Sequence, residues 1–395
     1  MKTFIPYGKQ CINKADIDEV VKVLKSDWIM QGPKAKEFED ALAEYCGSKY
    51  AVVVSSGTAA LHLACLAVGF KKNDEAITTP ITFSATSNSV IYAGGKPVFV
   101  DIDYETLNID LQQIIKKING KTKAIMPVHF AGLPCDMIEI AKIARKNKLI
   151  VIEDACQALG AEYRHQGKWY KVGNGKHSDM TTFSFHPVKS ITTGEGGAIL
   201  TNRKDLYEKL LMLRNHGFTK DHKKFVNNKP SNGPWYHEMQ YLGYNYRLTD
   251  IQSALGISQL KRLDIFTKRR EGIANIYNES FKDLKDYVDL PFVPSYAKTN
   301  WHLYVIKLKA EDGIEVKRRD IFNYLIKNRI GVQVHYIPVY WHPYYKKLGY
   351  KKKTCHMAED CYSRIFSLPL HPSLRKADIQ RVINILTESL RELLR

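Results

Sequence analysis

Short apolar segments set at helix-length intervals constrain this chain more than any other feature. Tyr50–Val54, Ala76–Thr79, Pro97–Asp101, Ala124–Val128 and Leu149–Ile152 recur through the first half, separated by stretches such as Asp136–Asn147 that are long enough for a helix. Continuously apolar runs of four or five residues suit strands covered on both faces. Strands of that kind, alternating with helical patterns, form parallel sheets through βαβ units. Two later runs, Met180–Phe185 and Ala198–Thr201, extend the same sheet to seven strands, and helical patterns at Lys14–Lys25 and Lys34–Tyr45 precede it. The expected class is α/β, a large domain with a mostly parallel seven-stranded sheet.

Beyond a polar stretch at Phe218–Trp235, read as a surface loop, Leu248–Phe281 is a nearly unbroken helical pattern leading into a second unit. That unit alternates strand Trp301–Lys309, helix Lys317–Asn328, strand Gly331–Tyr336, helix Met357–Phe366 and a closing helix from Lys376, a smaller α+β C-terminal domain. The division falls at 1–247, with an N-terminal arm, and 248–395. A net charge of +18 raises nucleic acid or a membrane surface as partners. The basic residues are spread along the chain and carry no nucleic-acid-binding module, so a solvated basic surface is expected, with no nucleic acid and no membrane. The seven scattered cysteines, the absence of a signal-peptide core in MKTFIPYGKQ and the lack of a membrane-length apolar run point to a reduced cytoplasmic protein. His216, His302 and His342 have no metal-ligand spacing, and no metal is expected.

Three stretches carry chemistry. Ser55-Ser56-Gly57-Thr58-Ala59-Ala60-Leu61 follows the first apolar strand, and a strand, a small hydroxyl-and-glycine turn and a helix start together build an anion site. An ordinary helix N-cap reads the same residues equally well. The stretch lacks the Walker and G-x-G-x-x-G patterns of ATP and dinucleotide sites. Val151-Ile152-Glu153-Asp154-Ala155 places a carboxylate at the carboxyl end of a strand, where ligands of open parallel sheets bind. Asp154 can hold a pyridinium nitrogen protonated or, with Gln157, cap a helix. Phe183-Ser184-Phe185-His186-Pro187-Val188-Lys189-Ser190, followed by Thr192-Thr193-Gly194-Glu195-Gly196-Gly197, sets a lysine between an aromatic strand and a double-glycine turn. Desolvation there frees an amine for Schiff-base chemistry.

Together SSGTAALHLA, TTPITFSATSNS, VIEDACQALG, TFSFHPVKSITTGEGGAILTN and GYNYRLTDIQSALGISQLKRLD resemble, in order and over nearly the whole chain, the DegT/StrS-type sugar aminotransferases. These are pyridoxal 5′-phosphate (PLP) enzymes of fold type I. The resemblance implies that Lys189 carries PLP, Asp154 pairs with its ring nitrogen and Phe83 stacks on the ring. Gly57, Thr58 and Ser184 would hold the phosphate, and Gln157 would sit near the phenolic oxygen. Asn245 would reach the phosphate of a neighbouring subunit's cofactor, with Arg247 beside it, making a homodimer with shared sites. Within the family, PITFSAT, SFHPVKSITTGEGG and VQVHYIPVY are similar to the UDP-4-amino-4,6-dideoxy-N-acetyl-β-L-altrosamine transaminases of pseudaminic-acid biosynthesis. That likeness implies a UDP-linked 4-keto sugar and L-glutamate as partners, with pyridoxamine phosphate between the half-reactions. It assigns sugar-nucleotide contacts to Tyr7, Asp27, Trp28, Ile29, Met30, Gln333, Val334, His335 and Tyr336, beside Gly57, Ser184, Asn245 and Arg247. A sugar dehydratase of this family would have histidine in place of Lys189. A regulator that only retains the fold would need neither Lys189 nor Asp154.

Overall fold

The computed structural model describes residues 3–227, 233–309 and 313–393. Seven of its strands form the main sheet: β1 (Tyr50–Val54), β2 (Glu75–Thr78), β3 (Lys96–Phe99), β4 (Thr122–Met126), β5 (Ile150–Asp154), β8 (Met180–Ser184) and β9 (Gly197–Thr201). Between β5 and β8 the chain forms a hairpin outside that sheet, β6 (Glu162–His165) and β7 (Lys168–Lys171), which the apolar pattern did not reveal. The order is β1-β9-β8-β5-β4-β2-β3. Every contact is parallel except the two made by β9, which runs against both β1 and β8. The mostly parallel seven-stranded sheet expected from the sequence is the one observed.

The apolar runs are continuous because both faces of the sheet are covered. Ala51 and Val53 enter one core with Val151, Ala198 and Leu200, while Val52 and Val54 enter the opposite core with Ile152 and Ile199. Successive residues of a strand point to opposite faces, so on a doubly covered strand a polar side chain must find a buried partner, as Glu153 and Asp154 do at the end of β5.

The long helical pattern after residue 248 is two helices, Asp250–Leu260 and Leu263–Phe281. At the break Arg262 turns back to pair with the buried Asp16, which also accepts from Gln259 Nε2 at 2.8 Å. The first helix packs on helices Lys14–Leu24 and Pro33–Cys46. A separate core gathers strand Tyr304–Leu308, its antiparallel partners Val288–Asp289 and Ile365–Leu368, and helices Ile314–Lys327 and Lys376–Leu393. Ile5 joins this core: its N–H donates to Arg329 O at 2.9 Å, and its carbonyl accepts from Gly331 N at 2.7 Å.

Two expectations need correction. Gly331–Tyr336 is not a strand; it makes one isolated bridge, Gln333 to Ser367. Residues 333–336 line one cavity, while Val334 also packs against the C-terminal core. The polar stretch from Phe218 is not wholly loop, since Phe218–Thr219 pairs with Glu238–Met239; residues 228–232 lie outside the described residues.

Candidate active site

Because β9 is antiparallel to both neighbours, β1 and β8 point the same way, and the carboxyl ends of β1, β5 and β8 meet at one edge. Gly197, at the start of β9, stands opposite Val54 on one side and Ser184 on the other. A Cβ on Gly197 would lie 2.5 Å from the Ser56 carbonyl oxygen and 2.8 Å from Gly57 N, both main-chain atoms with no room to retreat. Glycine there lets the turn after β1 close onto Ser184. At the start of helix Gly57–Val68, Ser56 caps Ala59 N at 3.0 Å. Gly57 N–H and Thr58 N–H precede any helix carbonyl that could accept from them and open onto the cavity. Such N–H groups, the helix dipole and the Ser184 hydroxyl are of the kind that could cradle the oxygens of a phosphate.

Asp154 closes β5 and is 5% exposed. Its Oδ2 accepts from Thr86 Oγ1 at 2.6 Å and its Oδ1 from Cys156 N at 3.1 Å. Thr86 has one hydroxyl proton and also lies 3.1 Å from the Phe83 carbonyl and 2.7 Å from Thr82 Oγ1. The bond to a carboxylate is the stronger of its options, so Thr86 donates to Asp154 and Thr82 donates to Thr86. On the other face of the strand, Glu153 accepts from His129 Nε2 at 2.7 Å and Thr181 Oγ1 at 2.7 Å, and also from Ser178 Oγ. His129 Nδ1 accepts from Cys135 N at 3.0 Å, which leaves the ring proton on Nε2. The strand end is thus anchored on both faces, and Asp154 has little freedom to turn. Gln157 accepts from Ala131 N at 2.8 Å and donates to the Tyr336 hydroxyl at 3.0 Å, tying the turn after β5 to the segment from the second half of the chain.

Lys189 lies in the turn after β8, its N–H donating to His186 O at 2.9 Å. Loss of hydration lowers the pKa of its ammonium, while Cys156 and Asp154 oppose that shift. Lys189 shares a cavity of about 710 Å³ with Gly57, Thr58, Phe83, Asp154, Gln157 and Ser184, walled by Tyr7 and Gln333–Tyr336. Phe83 is 60% exposed, a large apolar face offered to the open side. Tyr7 packs against the His335 ring at 5.4 Å between centroids. Burial pushes the His335 imidazole down to about 3, with the charge on Lys189 adding to the effect, and Nδ1 pairs with Ser367 Oγ at 2.8 Å.

The cavity brings together most of the residues singled out in the sequence: Tyr7, Gly57, Thr58, Phe83, Asp154, Gln157, Ser184, Lys189, Gln333, Val334, His335 and Tyr336. Asp27, Trp28, Ile29 and Met30 lie elsewhere on the surface, with Trp28 58% exposed. Asn245 is exposed and bridges Asn215, and Arg247 Nη1 donates to Asn215 Oδ1 at 2.5 Å; neither lines this chain's cavity. Sequence reasoning missed Thr86, although it stands in the quoted stretch TTPITFSATSNS three residues after Phe83. It also set aside His342, which lines the cavity without any metal spacing.

The model of the DegT/DnrJ/EryC1/StrS aminotransferase family matches residues 10–387. The chain belongs to that family. It is 40% identical over 381 residues to the UDP-4-amino-4,6-dideoxy-N-acetyl-beta-L-altrosamine transaminase of Campylobacter jejuni, covering 96% of this chain and 95% of the relative. It is also 38% identical to the GDP-perosamine synthase of Caulobacter vibrioides, over 94% of this chain and 95% of that one. Among solved structures, Helicobacter pylori PseC, an aminotransferase involved in the biosynthesis of pseudaminic acid, superposes with a TM-score of 0.88 at 34% identity, over 99% of this chain and 100% of PseC. NtdA from Bacillus subtilis, with bound pyridoxamine phosphate, superposes with a TM-score of 0.83 at 31% identity, over 96% and 83%. This DegT-family chain is a sugar aminotransferase with the fold type I architecture.

Proposed function

We propose that this enzyme transfers the amino group of L-glutamate to C4 of a UDP-linked 4-keto-6-deoxy-N-acetylhexosamine, giving a UDP-4-amino-4,6-dideoxy sugar. The observation that carries the reaction class is the meeting, in one cavity, of a desolvated lysine, a doubly anchored carboxylate and an open helix N-terminus. These donors match in kind the aldehyde, the ring nitrogen and the phosphate of PLP, which is the cofactor, alternating with its pyridoxamine form. When bound, PLP supplies an electron sink for the pair released at the donor's α-carbon. Asp154, held by Thr86 and the Cys156 N–H, would set its negative charge against the ring nitrogen. Gly57, Thr58 and Ser184 would hold the phosphate, Phe83 would cover the ring and Gln157 would stand by its oxygen. Lys189 would hold the cofactor, and its amine, with the ammonium pKa lowered by loss of hydration, would carry the proton at the reacting carbon. Fixing amine and substrate together can remove roughly 7–11 kcal/mol of barrier.

For the sugar nucleotide, Tyr7, Gln333, His335 and Tyr336 offer hydroxyl, amide and imidazole groups, and Ile337 offers an apolar surface for the 6-methyl group. Contacts from Asp27–Met30, Asn245 and Arg247 require a second copy, because these residues lie outside the cavity of their own chain. The exposure of Trp28, Ile29 and Met30 suits a surface that a partner covers, which supports a homodimer; the scattered cysteines suit a reduced, cytoplasmic setting. Among the described residues no helix is long and apolar enough to cross a membrane.

A second reading, in which the keto sugar carries another nucleotide, draws support from the nearly equal identity to a GDP-perosamine synthase; a ketone at C3 is the further alternative. A panel of UDP-, GDP- and dTDP-linked 4-keto and 3-keto sugars, assayed with glutamate, separates the two. The UDP β-L-arabino substrate is expected to show the highest kcat/KM. Neighbouring 4-keto sugars should be slower but active, since a methyl contact discriminates by only about 1–3 kcal/mol. A clear preference for a GDP, dTDP or 3-keto sugar overturns the UDP 4-keto assignment.

A further inference from the structure

Two buried side chains from the second half of the chain reach back to the turn that bears Lys189. Arg270, on helix Leu263–Phe281 and 3% exposed, donates from Nη2 to the Lys189 carbonyl at 3.2 Å. Its Nε and Nη1 have no hydrogen-bond partner among the described residues, so the Lys189 carbonyl is the acceptor that this buried cation meets there. Asn300 is completely buried, and the two protons of its amide nitrogen are shared among three acceptors, each at 2.9 Å: Gln157 O, Leu159 O and Ser190 Oγ. Its Oδ1 accepts from His302 N at 3.1 Å. Turning the amide over would set its oxygen against two carbonyls, so the orientation follows from the partners. Gly132 walls it in, since a Cβ there would lie 1.8 Å from Asn300 Oδ1.

The two turns that Asn300 joins are those of the site: Gln157 follows Asp154 at the end of β5, and Ser190 follows Lys189 beyond the neighbouring strand β8. We propose that Asn300 and Arg270 are positioning residues that set the Lys189 turn against the Asp154–Gln157 turn. The separation of amine and ring anchor is thereby governed from the half of the chain that also supplies the Gln333–Tyr336 wall. Without them, the bond from Lys189 N to His186 O is what remains to hold the lysine's peptide unit. A displacement near 1 Å in such a geometry can cost up to about 100-fold in rate.

The inference rests on Lys189 as the cofactor-bearing residue, and the holoenzyme tests the two separately. A wild-type protein with no visible PLP band counts against that assignment, whatever the variants do. With the band present, Ser190→Ala removes the acceptor on the lysine's turn and leaves both backbone acceptors of Asn300 in place. Arg270→Met removes the donor to Lys189, and Arg270→Lys restores a cation. The readouts are cofactor content, visible circular dichroism per bound cofactor, kcat and both KM values. The expected result is full cofactor content, a weakened dichroic band and kcat lowered about 10- to 100-fold with each KM within about twofold, partly restored in Arg270→Lys. Should Arg270→Met fail to fold, Ser190→Ala decides. Wild-type kcat and dichroism in Ser190→Ala at full occupancy overturn the proposal, as does any loss of kcat accompanied by unchanged dichroism.

Discussion

Gly57→Ala sets two opposing effects against each other. Alanine is the better helix former, by up to about 1 kcal/mol over glycine in a helix interior, and Gly57 begins helix Gly57–Val68. On propensity alone the variant should be more stable. The packing says otherwise: the new methyl would lie 2.7 Å from Ser184 Cβ, 3.0 Å from Ser184 Oγ and 3.3 Å from Cys156 Sγ. Carbon atoms in contact sit at about 3.5–4.0 Å, so the helix start and β8 must separate by roughly 1 Å. Overpacking of this kind costs about 1–3 kcal/mol, which exceeds the propensity gain over most of its range. The same separation opens the phosphate cradle. Losing one hydrogen bond to a charged group removes about 1.5–3 kcal/mol, or roughly 10- to 100-fold in affinity for PLP. The assay is an absorbance titration of the apoprotein with PLP beside chemical denaturation of the same protein. Gly57→Ala should bind more weakly and unfold at lower denaturant. The double variant Gly57→Ala/Ser184→Gly removes the obstructing Cβ, so stability should return while affinity stays low because the hydroxyl is gone. A Gly57→Ala protein that binds PLP like wild type and is no less stable would refute both the close approach and the cradle.

Asp154→Asn keeps the shape of the side chain and removes its charge; the variant should retain cofactor and lose about 10²- to 10³-fold in kcat, and near-normal turnover would show that another group stabilises the ring. Mixing inactive Lys189→Ala with inactive Asn245→Ala should restore part of the activity, because a heterodimer contains one site free of both defects; no recovery after confirmed subunit exchange counts against shared sites. His335, held down to about 3, stays neutral as pH falls, whereas the unfolded chain takes up that proton near pH 6.5. Its contribution to stability is therefore present above that pH and lost below it, by about 1.4 kcal/mol per pH unit for one proton. The denaturation midpoint of His335→Gln should depend less steeply on pH between 7 and 5 than that of wild type, and equal slopes would contradict the burial argument.

The sequence by itself determined the layered sheet, because strands covered on both faces are mostly apolar, and five such runs with helices between them admit few other folds. It also determined the chemistry available: a carboxylate closing Val151–Asp154, a lysine beside a double glycine, and a hydroxyl-and-glycine turn after Val54. For each of these the local pattern allowed a plain structural reading as well, since a helix cap and an anion site use the same residues. Only the tertiary structure showed that the three stretches line one cavity, with Ser56 capping its helix there as well. The antiparallel strand β9, inserted between β1 and β8, places Gly197 between Val54 and Ser184 and so brings the cradle onto the strand that leads to Lys189. Thr86, His129, Arg270 and Asn300 were not legible as parts of the site. Their roles come from contacts across 68, 24, 81 and 110 positions of chain to Asp154, Glu153, Lys189 and Ser190. Periodicity reports which face of an element is covered; it carries no record of which distant side chain completes a hydrogen bond there.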